Sequence, residues 1–435
     1  MVSFVAGGGA REIGASFYVL NFGGTYIGID CGFRHVSNDD PERLHKLLPG
    51  LDVCPRLDYL FVTHGHLDHV GAIPALFKKH ENLKVVMTSP TIALAKRQWD
   101  ETFSIARREN IPTPFDYNDV VCAKKAIHEI ALDGLTREID DFSVQAVPAG
   151  HILGAISYMF TYKKKKIFVT GDISFQNQET TAGAEFPLRE RADVLISEAT
   201  YGGKPSLLRD GEKIRFLADM KRITSGNGKV LIPAFNIGRA QEIFEMLRKS
   251  ELFHEVPIYL DGGAMQIAEL YRKYLPERIY PNIADHFVSD WVKRKEVFAE
   301  RACIVIASSG MLDGGKAVEY AKKWVGNERN ALCFSGYVDP CSPGAKVLSS
   351  EKGAVVRLGG KSRESGSYTR RCEVQHYRFS AHAGGEELAQ LREILSPELT
   401  IFVHGESSGM DKMLRESGDD ASLLAPYNYQ TVPLN

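Results

Sequence analysis

The chain has 435 residues, of which 44% are hydrophobic, and its 53 Lys and Arg residues nearly balance its 55 Asp and Glu residues, for a net charge of −2. This length allows a large core and two or three globular units. The near-neutral charge does not by itself indicate a polyanionic partner, although it leaves room for a local basic groove.

The sequence also argues against a membrane protein and against a protein stabilised by disulfide bonds. The first residues lack a basic segment followed by a sustained apolar stretch, and no later run approaches the roughly 18 apolar residues of a membrane span. We therefore expect a cytoplasmic protein with no membrane partner. The seven cysteines are scattered and form no C-x-x-C pair, which argues against both a disulfide framework and a thiolate zinc site.

Several short apolar segments with strand character end in an ionisable residue. In chain order, these terminal residues are Asp30 after "YIGI", His64 after "LFVT", His151 after "SVQAVPAG", Asp172 after "IFVTG", Glu198 after "VLIS" and His404 after "IFV". In layered α/β folds, side chains from several loops converge outside one end of the strands. We therefore expect a common site, with His151, Asp172 and His404 as metal ligands rather than as structural polar groups.

The densest cluster of such residues is "THGHLDHVG", residues 63 to 71. His64 and His66 are two residues apart, so on an extended backbone both imidazoles point to the same side and can bind one cation. If the chain turns after His66, Asp68 and His69 project into an adjacent position, which suggests two metal ions. Imidazole and carboxylate without thiolate favour zinc over manganese or iron. The alternative is a polar loop that caps a helix, but such a loop needs one Asp and no histidines.

From about residue 206 the pattern changes to buried strands, each followed by a Gly- or Ser-containing loop and an amphipathic helix, as in "KVLIPAFNIGRAQEIFEMLRK". This pattern predicts a doubly wound α/β unit. The polar run "GGKSRESGSYTRRCE", residues 359 to 373, is expected to be an exposed excursion. The ionisable strand ends then return, so we predict one domain formed by residues 1–205 and 376–435, interrupted by a second domain at residues 206–375.

Candidate phosphate contacts lie in the predicted second domain. The sequence places Gly238 and Arg239 at one helix start and Ser308, Ser309 and Gly310 at another, and free N–H groups at a helix start attract phosphate. Both segments are equally consistent with simple tight turns. In "FSGYV", Ser335 and Tyr337 are further candidates, because an aromatic ring can stack on a base.

Taken in order, these motifs resemble those of the metallo-β-lactamase-fold nucleases with a β-CASP insertion. This family includes the endonuclease subunit of the cleavage and polyadenylation specificity factor, RNase J, and short bacterial and archaeal RNases. The resemblance rests on eight segments: "GIDCG", "THGHLDH", "PAGHILGA", "TGDIS", "SEATYGG", "PAFNIGRAQE", "FSAHAGG" and "FVHGE". It implies a four-layered αββα metallo-β-lactamase fold with an inserted doubly wound α/β β-CASP domain.

The resemblance also implies roles for individual residues. His64, His66 and His151 would hold one zinc ion, Asp68, His69 and His404 a second, and Asp172 would bridge the two. Asp30 would orient a ligand without binding metal. His382, in "FSAHAGG", would act as general acid with Glu198 fixing its tautomer, and Asp68 is counted with these catalytic residues.

The expected activity is zinc-dependent hydrolysis of phosphodiester bonds by a metal-activated hydroxide, with two Zn²⁺ per chain. A narrow cleft would admit unpaired RNA rather than a duplex, and members that act on RNA carry His at the position of His404. The mode, endonuclease or 5′-exonuclease, stays open, and a homodimer is one assembly that the resemblance allows.

Two other classes of function fit parts of this sequence. A thioester, lactone or β-lactam hydrolase would share the fold, but His382 and "PAFNIGRAQE" argue against it, and hydrolysis of another ester or of DNA stays an alternative. A non-catalytic scaffold subunit of an RNA-processing assembly would lose metal ligands, whereas this sequence keeps every one.

Overall fold

The computed structural model describes residues 2–36, 40, 42–186, 190–206, 209–359, 365–418 and 420–434. The chain divides into two compact units. Unit 1 comprises residues 1–177, 181–206 and 381–435, and unit 2 comprises residues 178–180 and 207–380.

The strands, numbered in chain order, are β1 Val2–Gly8, β2 Phe17–Phe22, β3 Thr25–Ile29, β4 Tyr59–Phe61, β5 Lys84–Met87, β6 Ile127–Glu129, β7 Thr136–Ile139, β8 Phe142–Pro148, β9 Ile156–Tyr162, β10 Lys165–Val169, β11 Val194–Glu198, β12 Lys229–Pro233, β13 Ile258–Asp261, β14 Cys303–Ala307, β15 Ala331–Phe334, β16 Val355–Leu358, β17 Gly366–Thr369, β18 Glu373–His376, β19 Leu399–Val403, β20 Leu423–Leu424 and β21 Thr431–Pro433.

The α-helices are α1 Arg43–Leu47, α2 Leu67–Val70, α3 Ile73–Leu76, α4 Ser89–Glu109, α5 Tyr117–Lys125, α6 Arg209–Ser225, α7 Arg239–Arg248, α8 Leu252–Glu255, α9 Gly263–Tyr274, α10 Trp291–Ala299, α11 Gly315–Trp324, α12 Pro343–Ser349, α13 Gly385–Leu395 and α14 Ser407–Glu416. A short 3-10 helix lies at Ile283–His286. A bilayer-spanning helix needs a long and predominantly apolar sequence, and no helix in the described parts of the chain provides one.

Unit 1 contains two seven-stranded sheets, with the orders β21-β1-β2-β3-β4-β5-β6 and β20-β19-β11-β10-β9-β8-β7. Most strands of both sheets point apolar side chains to one face, and the two sheets bury these faces against each other. Phe22 of the first sheet packs against Phe142 of the second with ring centroids 5.7 Å apart, and Phe61 packs against Phe160 at 5.1 Å.

Helices cover the outer face of each sheet. Against the first sheet, Trp99 of α4 is fully buried, and its indole N–H donates a 2.8 Å hydrogen bond to the Val70 carbonyl. Against the second sheet, Met410 of α14 packs on Phe402 of β19. The layers therefore run helix, sheet, sheet, helix, and the predicted αββα fold is confirmed.

Unit 2 is built on a five-stranded parallel sheet of order β13-β14-β12-β15-β18. Every residue of β14 is buried, as a parallel strand with helices on both faces requires. Val305 of β14 packs with α11 on one face, and α7 covers the other. The predicted doubly wound α/β unit is confirmed.

The predicted exposed excursion at residues 359–373 is more ordered than the sequence suggested. Residues 360–364 lie outside the described residues. Of the remainder, β17 pairs antiparallel with β16, and Glu373 opens β18 at the edge of the parallel sheet. Tyr368 packs against the core of unit 2 and Cys372 lies in it, so this polar run is anchored at two positions.

Candidate active site

The predicted strand-end residues of unit 1 meet at one end of its two facing sheets. They lie just beyond β3 (Asp30), β4 (His64), β8 (His151), β10 (Asp172) and β19 (His404), and at the last position of β11 (Glu198). Because the strands of both sheets end at the same side of the core, residues distant in sequence come within a few ångströms of one another.

Two groups of side chains could each hold a metal ion, and we call them the first and the second ligand group. The first consists of His64, His66, His151 and Asp172. His66 Nδ1 lies 3.1 Å from both His64 Nε2 and His151 Nε2. Asp172 Oδ2 lies 3.5 Å from His64 Nε2 and 3.6 Å from His151 Nε2. Four donor atoms therefore surround one point.

The second ligand group consists of Asp68, His69 and His404. Asp68 Oδ2 lies 3.4 Å from His404 Nε2 and 3.9 Å from His69 Nε2. Asp172 is next to this group as well, because its Oδ2 is 3.5 Å from His69 Nε2 and its Oδ1 is 3.1 Å from His404 Nδ1. One carboxylate thus lies between the two groups.

Local structure explains how "THGHLDH" contributes to both groups. His66 is extended, with φ −73° and ψ 152°, and α2 begins at the next residue. The helical turn carries Asp68 and His69 away from the direction of the His64 and His66 side chains. Gly32 lies against this turn so closely that a Cβ at its position would be 1.7 Å from the Asp68 carbonyl oxygen, which requires glycine there.

Buried hydrogen bonds orient the imidazoles. Asp30 accepts from His69 Nδ1 at 2.8 Å and from the Thr63 N–H and hydroxyl at 2.7 Å each. His151 Nδ1 donates to the Ala381 carbonyl at 2.8 Å. A proton held on Nδ1 leaves Nε2 as the lone-pair donor, so these bonds direct His69 Nε2 and His151 Nε2 towards the ligand groups.

Charge and burial shift the pKa values of the two groups in opposite directions. Burial, assisted by nearby histidines, lowers the pKa of His64 and of His151 well below the usual range. Burial also opposes protonation of His404, but the Asp172 carboxylate outweighs it and raises the pKa of His404 to about 10. His64 and His151 are therefore neutral imidazoles, whereas His404 pairs its charge with Asp172.

The residues fit divalent cations. Tetrahedral zinc with bonds of about 2.0–2.1 Å separates nitrogen donors by roughly 3.3 Å, close to the spacings of 3.1 to 3.6 Å in the first group. Among the described residues, the buried Asp172 Oδ1 and His404 Nε2 have no partner in hydrogen-bonding geometry. Burying a polar atom without a bonding partner costs free energy, unless a ligand bonds to it.

His382 and Glu198 form the predicted pair beside the ligand groups. His382 Nδ1 lies 3.0 and 3.1 Å from the two Glu198 carboxylate oxygens, and Glu198 also accepts the Ile173 N–H at 2.7 Å. Glu198 is buried, whereas the His382 side chain is 20% exposed. His382 Nδ1 is 3.9 Å from Asp172 Oδ2, so this pair adjoins the shared carboxylate.

In unit 2, the structure brings together only part of the predicted phosphate-contact set. Arg239, Gly310, Ser335 and Tyr337 line one shallow concavity together with Phe235. Arg239 opens α7, as predicted, after Gly238 with φ +84°.

The predicted helix start at Ser308 and Ser309 is wrong. Helix α11 begins at Gly315, and the intervening residues form a loop in which Ser309 Oγ hydrogen-bonds to Asp313 and the Ser308 carbonyl accepts the Ala317 N–H at 2.7 Å. The glycine pair "GG" at residues 314 and 315 marked this boundary in the sequence.

Sequence reasoning also missed the residues that orient the ligands. The Thr63 hydroxyl bonds to both Asp30 and His64. The Ala381 carbonyl accepts a hydrogen bond from His151, and the Thr200 hydroxyl donates to the His404 carbonyl at 3.1 Å. Thr63, Ala381 and Thr200 are each one or two residues from a predicted site residue. That proximity was the available signal.

Family models cover most of the chain. A beta-lactamase superfamily domain matches residues 25–227, a Beta-Casp domain matches residues 240–347, and a Zn-dependent metallo-hydrolase RNA specificity domain matches residues 367–422. The last match includes His382 and His404.

Curated relatives agree with these matches. A probable RNase of Methanocaldococcus jannaschii is 33% identical and aligns over 92% of both chains. Cleavage and polyadenylation specificity factor 73 of Drosophila melanogaster is 30% identical over 95% of this chain, which spans 62% of that protein. Integrator complex subunit 11 of Danio rerio is 29% identical over 98% of this chain and 73% of its own length.

A solved structure of a protein of unknown function from Enterococcus faecalis has the same fold, with a TM-score of 0.60, 13% identity and 99% coverage of both chains. The three domain matches occur in the order that the motifs indicated, and the first relative aligns along nearly its whole length. The chain belongs to the β-CASP family of metallo-β-lactamase-fold, metal-dependent ribonucleases.

Proposed function

We propose that the chain is a zinc-dependent ribonuclease that hydrolyses phosphodiester bonds of single-stranded RNA, as an endonuclease, a 5′-exonuclease or both. The observation that carries this proposal is the position of Asp172, whose two oxygens lie 3.1 to 3.6 Å from histidines of both ligand groups. A carboxylate shared by two sets of imidazoles suits a pair of adjacent divalent cations.

Two zinc ions are the proposed cofactors. The residues that would hold them are His64, His66 and His151 for one ion, Asp68, His69 and His404 for the other, and Asp172 for both. When bound, such a pair lowers the pKa of water from 15.7 towards about 7 and neutralises the charge on phosphoryl oxygens. The Asp68 side chain is 34% exposed, whereas that of Asp172 is 3% exposed, so the second ligand group is the one that borders solvent.

His382 is the proposed general acid for the leaving oxygen. Glu198 holds the proton on His382 Nδ1, so the other ring nitrogen, Nε2, is the one that carries and delivers a proton. The buried Glu198 carboxylate also stabilises the charged ring before transfer. A positioned acid of this kind contributes about 10²- to 10⁴-fold in rate.

RNA is the proposed substrate because the relatives named above are an RNase and RNA-processing factors, and because the RNA specificity domain model covers the segment with His382 and His404. In unit 2, Arg239, Ser335 and Tyr337 supply a cation, a hydroxyl and an aromatic ring around one concavity. These groups suit a phosphate with a neighbouring unpaired base, and they are the proposed RNA contacts.

The direct experiment is digestion of a single-stranded RNA labelled at its 5′ end, beside DNA of the same sequence. Cleavage of RNA that stops with a chelator and returns with added zinc is the expected result. A ladder of labelled products indicates internal cutting, and immediate release of labelled mononucleotide indicates 5′-exonuclease activity. Zinc-loaded protein that cuts neither RNA nor DNA would instead support a scaffold role, and preferential cutting of DNA would overturn the substrate assignment.

A further inference from the structure

The loop between β1 and β2, residues 9–16, contacts every member of the second ligand group. The Gly9 carbonyl accepts the His404 N–H at 2.6 Å, and the Ser16 N–H donates to the Asp68 carbonyl at 3.1 Å. Ser16 Oγ lies 3.5 Å from His69 Nε2. The positions of three ligands therefore depend on how rigidly this loop is held.

His404 depends on the loop most strongly. It follows the last residue of β19 with φ +49°, a left-handed conformation that residues other than glycine rarely adopt. The bond from its N–H to the Gly9 carbonyl helps to hold that conformation and so aims the imidazole. Gly9 itself has φ +74°, and a Cβ at its position would be 2.3 Å from the Tyr18 hydroxyl.

Glu12 is the residue whose hydrogen bonds hold this loop in position. Its Oε1 accepts from the Gly9 N–H at 3.3 Å, from Asn428 Nδ2 at 2.9 Å and from Arg34 Nη2 at 2.7 Å, and its Oε2 accepts from Arg34 Nε at 2.6 Å. The pair with Arg34 is bidentate, which fixes direction as well as distance. The Glu12 side chain is 26% exposed.

The partners of Glu12 are anchored in turn. Arg34 Nη1 donates to the Leu48 carbonyl at 3.1 Å, and Asn428 Oδ1 accepts the Ala10 N–H at 3.1 Å. The loop is thereby tied both to the segment after β3 and to the segment before β21. Glu12 touches no ligand side chain in the described contacts, so it acts through Gly9.

We infer that Glu12 is a positioning residue for the second metal position: its bonds to Arg34, Asn428 and Gly9 set the affinity of the Asp68–His69–His404 group and not that of the His64–His66–His151 group. The inference rests on the proposed binding of two metal ions. Residues that orient a ligand from outside the coordination sphere typically change metal affinity by about 10- to 100-fold.

The test is competition between metal-free protein and a chromogenic chelator for Zn²⁺, which yields two stepwise affinities. In Glu12→Gln, which keeps the side-chain shape but loses the charge, one affinity is expected to fall by about 10- to 100-fold while the other is unchanged. Arg34→Gln is expected to give the same selective loss. Co²⁺ absorbance provides a second readout, since only one of two successive spectral changes should shift to higher cobalt concentration.

Asp58→Asn is the matched control. Asp58 also accepts from an arginine, Arg56, and from a backbone N–H, that of Tyr26 at 2.8 Å, and its side chain is 28% exposed. It bonds to no residue of either ligand group in the described contacts. Both zinc affinities of Asp58→Asn should match those of the wild type.

A double-substitution cycle assigns the affected position. In a His404→Ala background, where the second position is lost, adding Glu12→Gln should leave the remaining affinity unchanged, whereas in a His151→Ala background it should still weaken binding. Equal loss at both positions, or loss in the His404→Ala background, overturns the inference. Two unchanged affinities in Glu12→Gln also overturn it, while leaving the proposed function intact; a wild-type protein that binds no zinc removes both.

Discussion

The two ligand groups of unit 1 differ in how the chain builds them. In the first group, His64 and His66 are two residues apart and touch His151 through ring nitrogens 3.1 Å apart. In the second group, Asp68 and His69 meet His404 from the far end of the chain, and carboxylates surround the imidazoles. In the first group two of the three histidines come from one short motif, whereas the second group adds to Asp68 and His69 a histidine from the far end of the chain.

This difference has a physical consequence. The first group combines the extended backbone at His64 and His66 with His151, whose Nδ1 donates to the Ala381 carbonyl. The second group needs the β1–β2 loop, Asp30 and a left-handed residue at the end of β19. We therefore expect the second metal position to be the more sensitive of the two to substitutions outside the ligands.

The largest effect is expected where the two groups meet. Asp172→Ala removes the carboxylate that lies within 3.6 Å of histidines in both groups, so both metals should be lost and RNA cleavage should fall below detection. Zinc content by elemental analysis and RNA digestion measure the two outcomes. Full zinc content in this variant would contradict the shared role of Asp172.

His382→Ala should separate chemistry from metal binding. Because His382 bonds to Glu198 and belongs to neither ligand group, the variant should keep its zinc while cleavage falls by about 10²- to 10⁴-fold. Zinc content and the rate of RNA cleavage are measured on the same preparation. Turnover at the wild-type rate would remove the general-acid assignment.

Removing one ligand from each group tests whether they are separate positions. His151→Ala and His404→Ala should each leave about one zinc per chain, because each variant keeps the other group complete. Elemental analysis of the two proteins after identical dialysis gives the comparison. If either variant loses both ions or neither, the groups do not bind metal independently.

Asp30→Asn should affect the second group selectively. Asp30 accepts from His69 Nδ1 at 2.8 Å, and an amide in its place can orient the ring wrongly, which should weaken one zinc affinity by about 10- to 100-fold. Chelator competition measures both affinities. A uniform change at both positions would point to general disruption through Thr63, which bonds to Asp30 and to His64.

The smallest expected effect is on the stability of the loop itself. Burial acts to raise the pKa of Glu12, but hydrogen bonds from Arg34 and Asn428 and the Arg34 charge outweigh it and lower that pKa below 4.5. A carboxyl whose pKa is lower in the folded than in the unfolded chain stabilises the fold at pH values above its unfolded pKa. This stabilisation is lost as the pH falls through its folded pKa. In urea unfolding at pH 7, the free energy of unfolding of the metal-free wild type should exceed that of Glu12→Gln by roughly 1 kcal/mol. This difference should shrink below about pH 4.5. A pH-independent difference would contradict this account.

The sequence predicted the αββα fold, the doubly wound second unit and the residues that converge, because strand periodicity and ionisable strand ends are local patterns. The pairing of His382 with Glu198 was predicted from the family motifs. It did not place the start of α11, since "SSGMLDGG" allows a helix to begin at several positions and the glycines at 314 and 315 decide it. It also missed Glu12 and Thr63, which act through contacts that exist only once the sheets have closed. The strand pairing at residues 366–369 likewise depends on a partner, β16, and not on its own polar sequence.

We propose that two groups of side chains around Asp172 hold a pair of zinc ions. Elemental analysis of the full chain, purified without chelator and measured against protein concentration, tests it most directly. We expect close to two zinc ions per chain. One ion or none, in protein that still cleaves RNA, would contradict it.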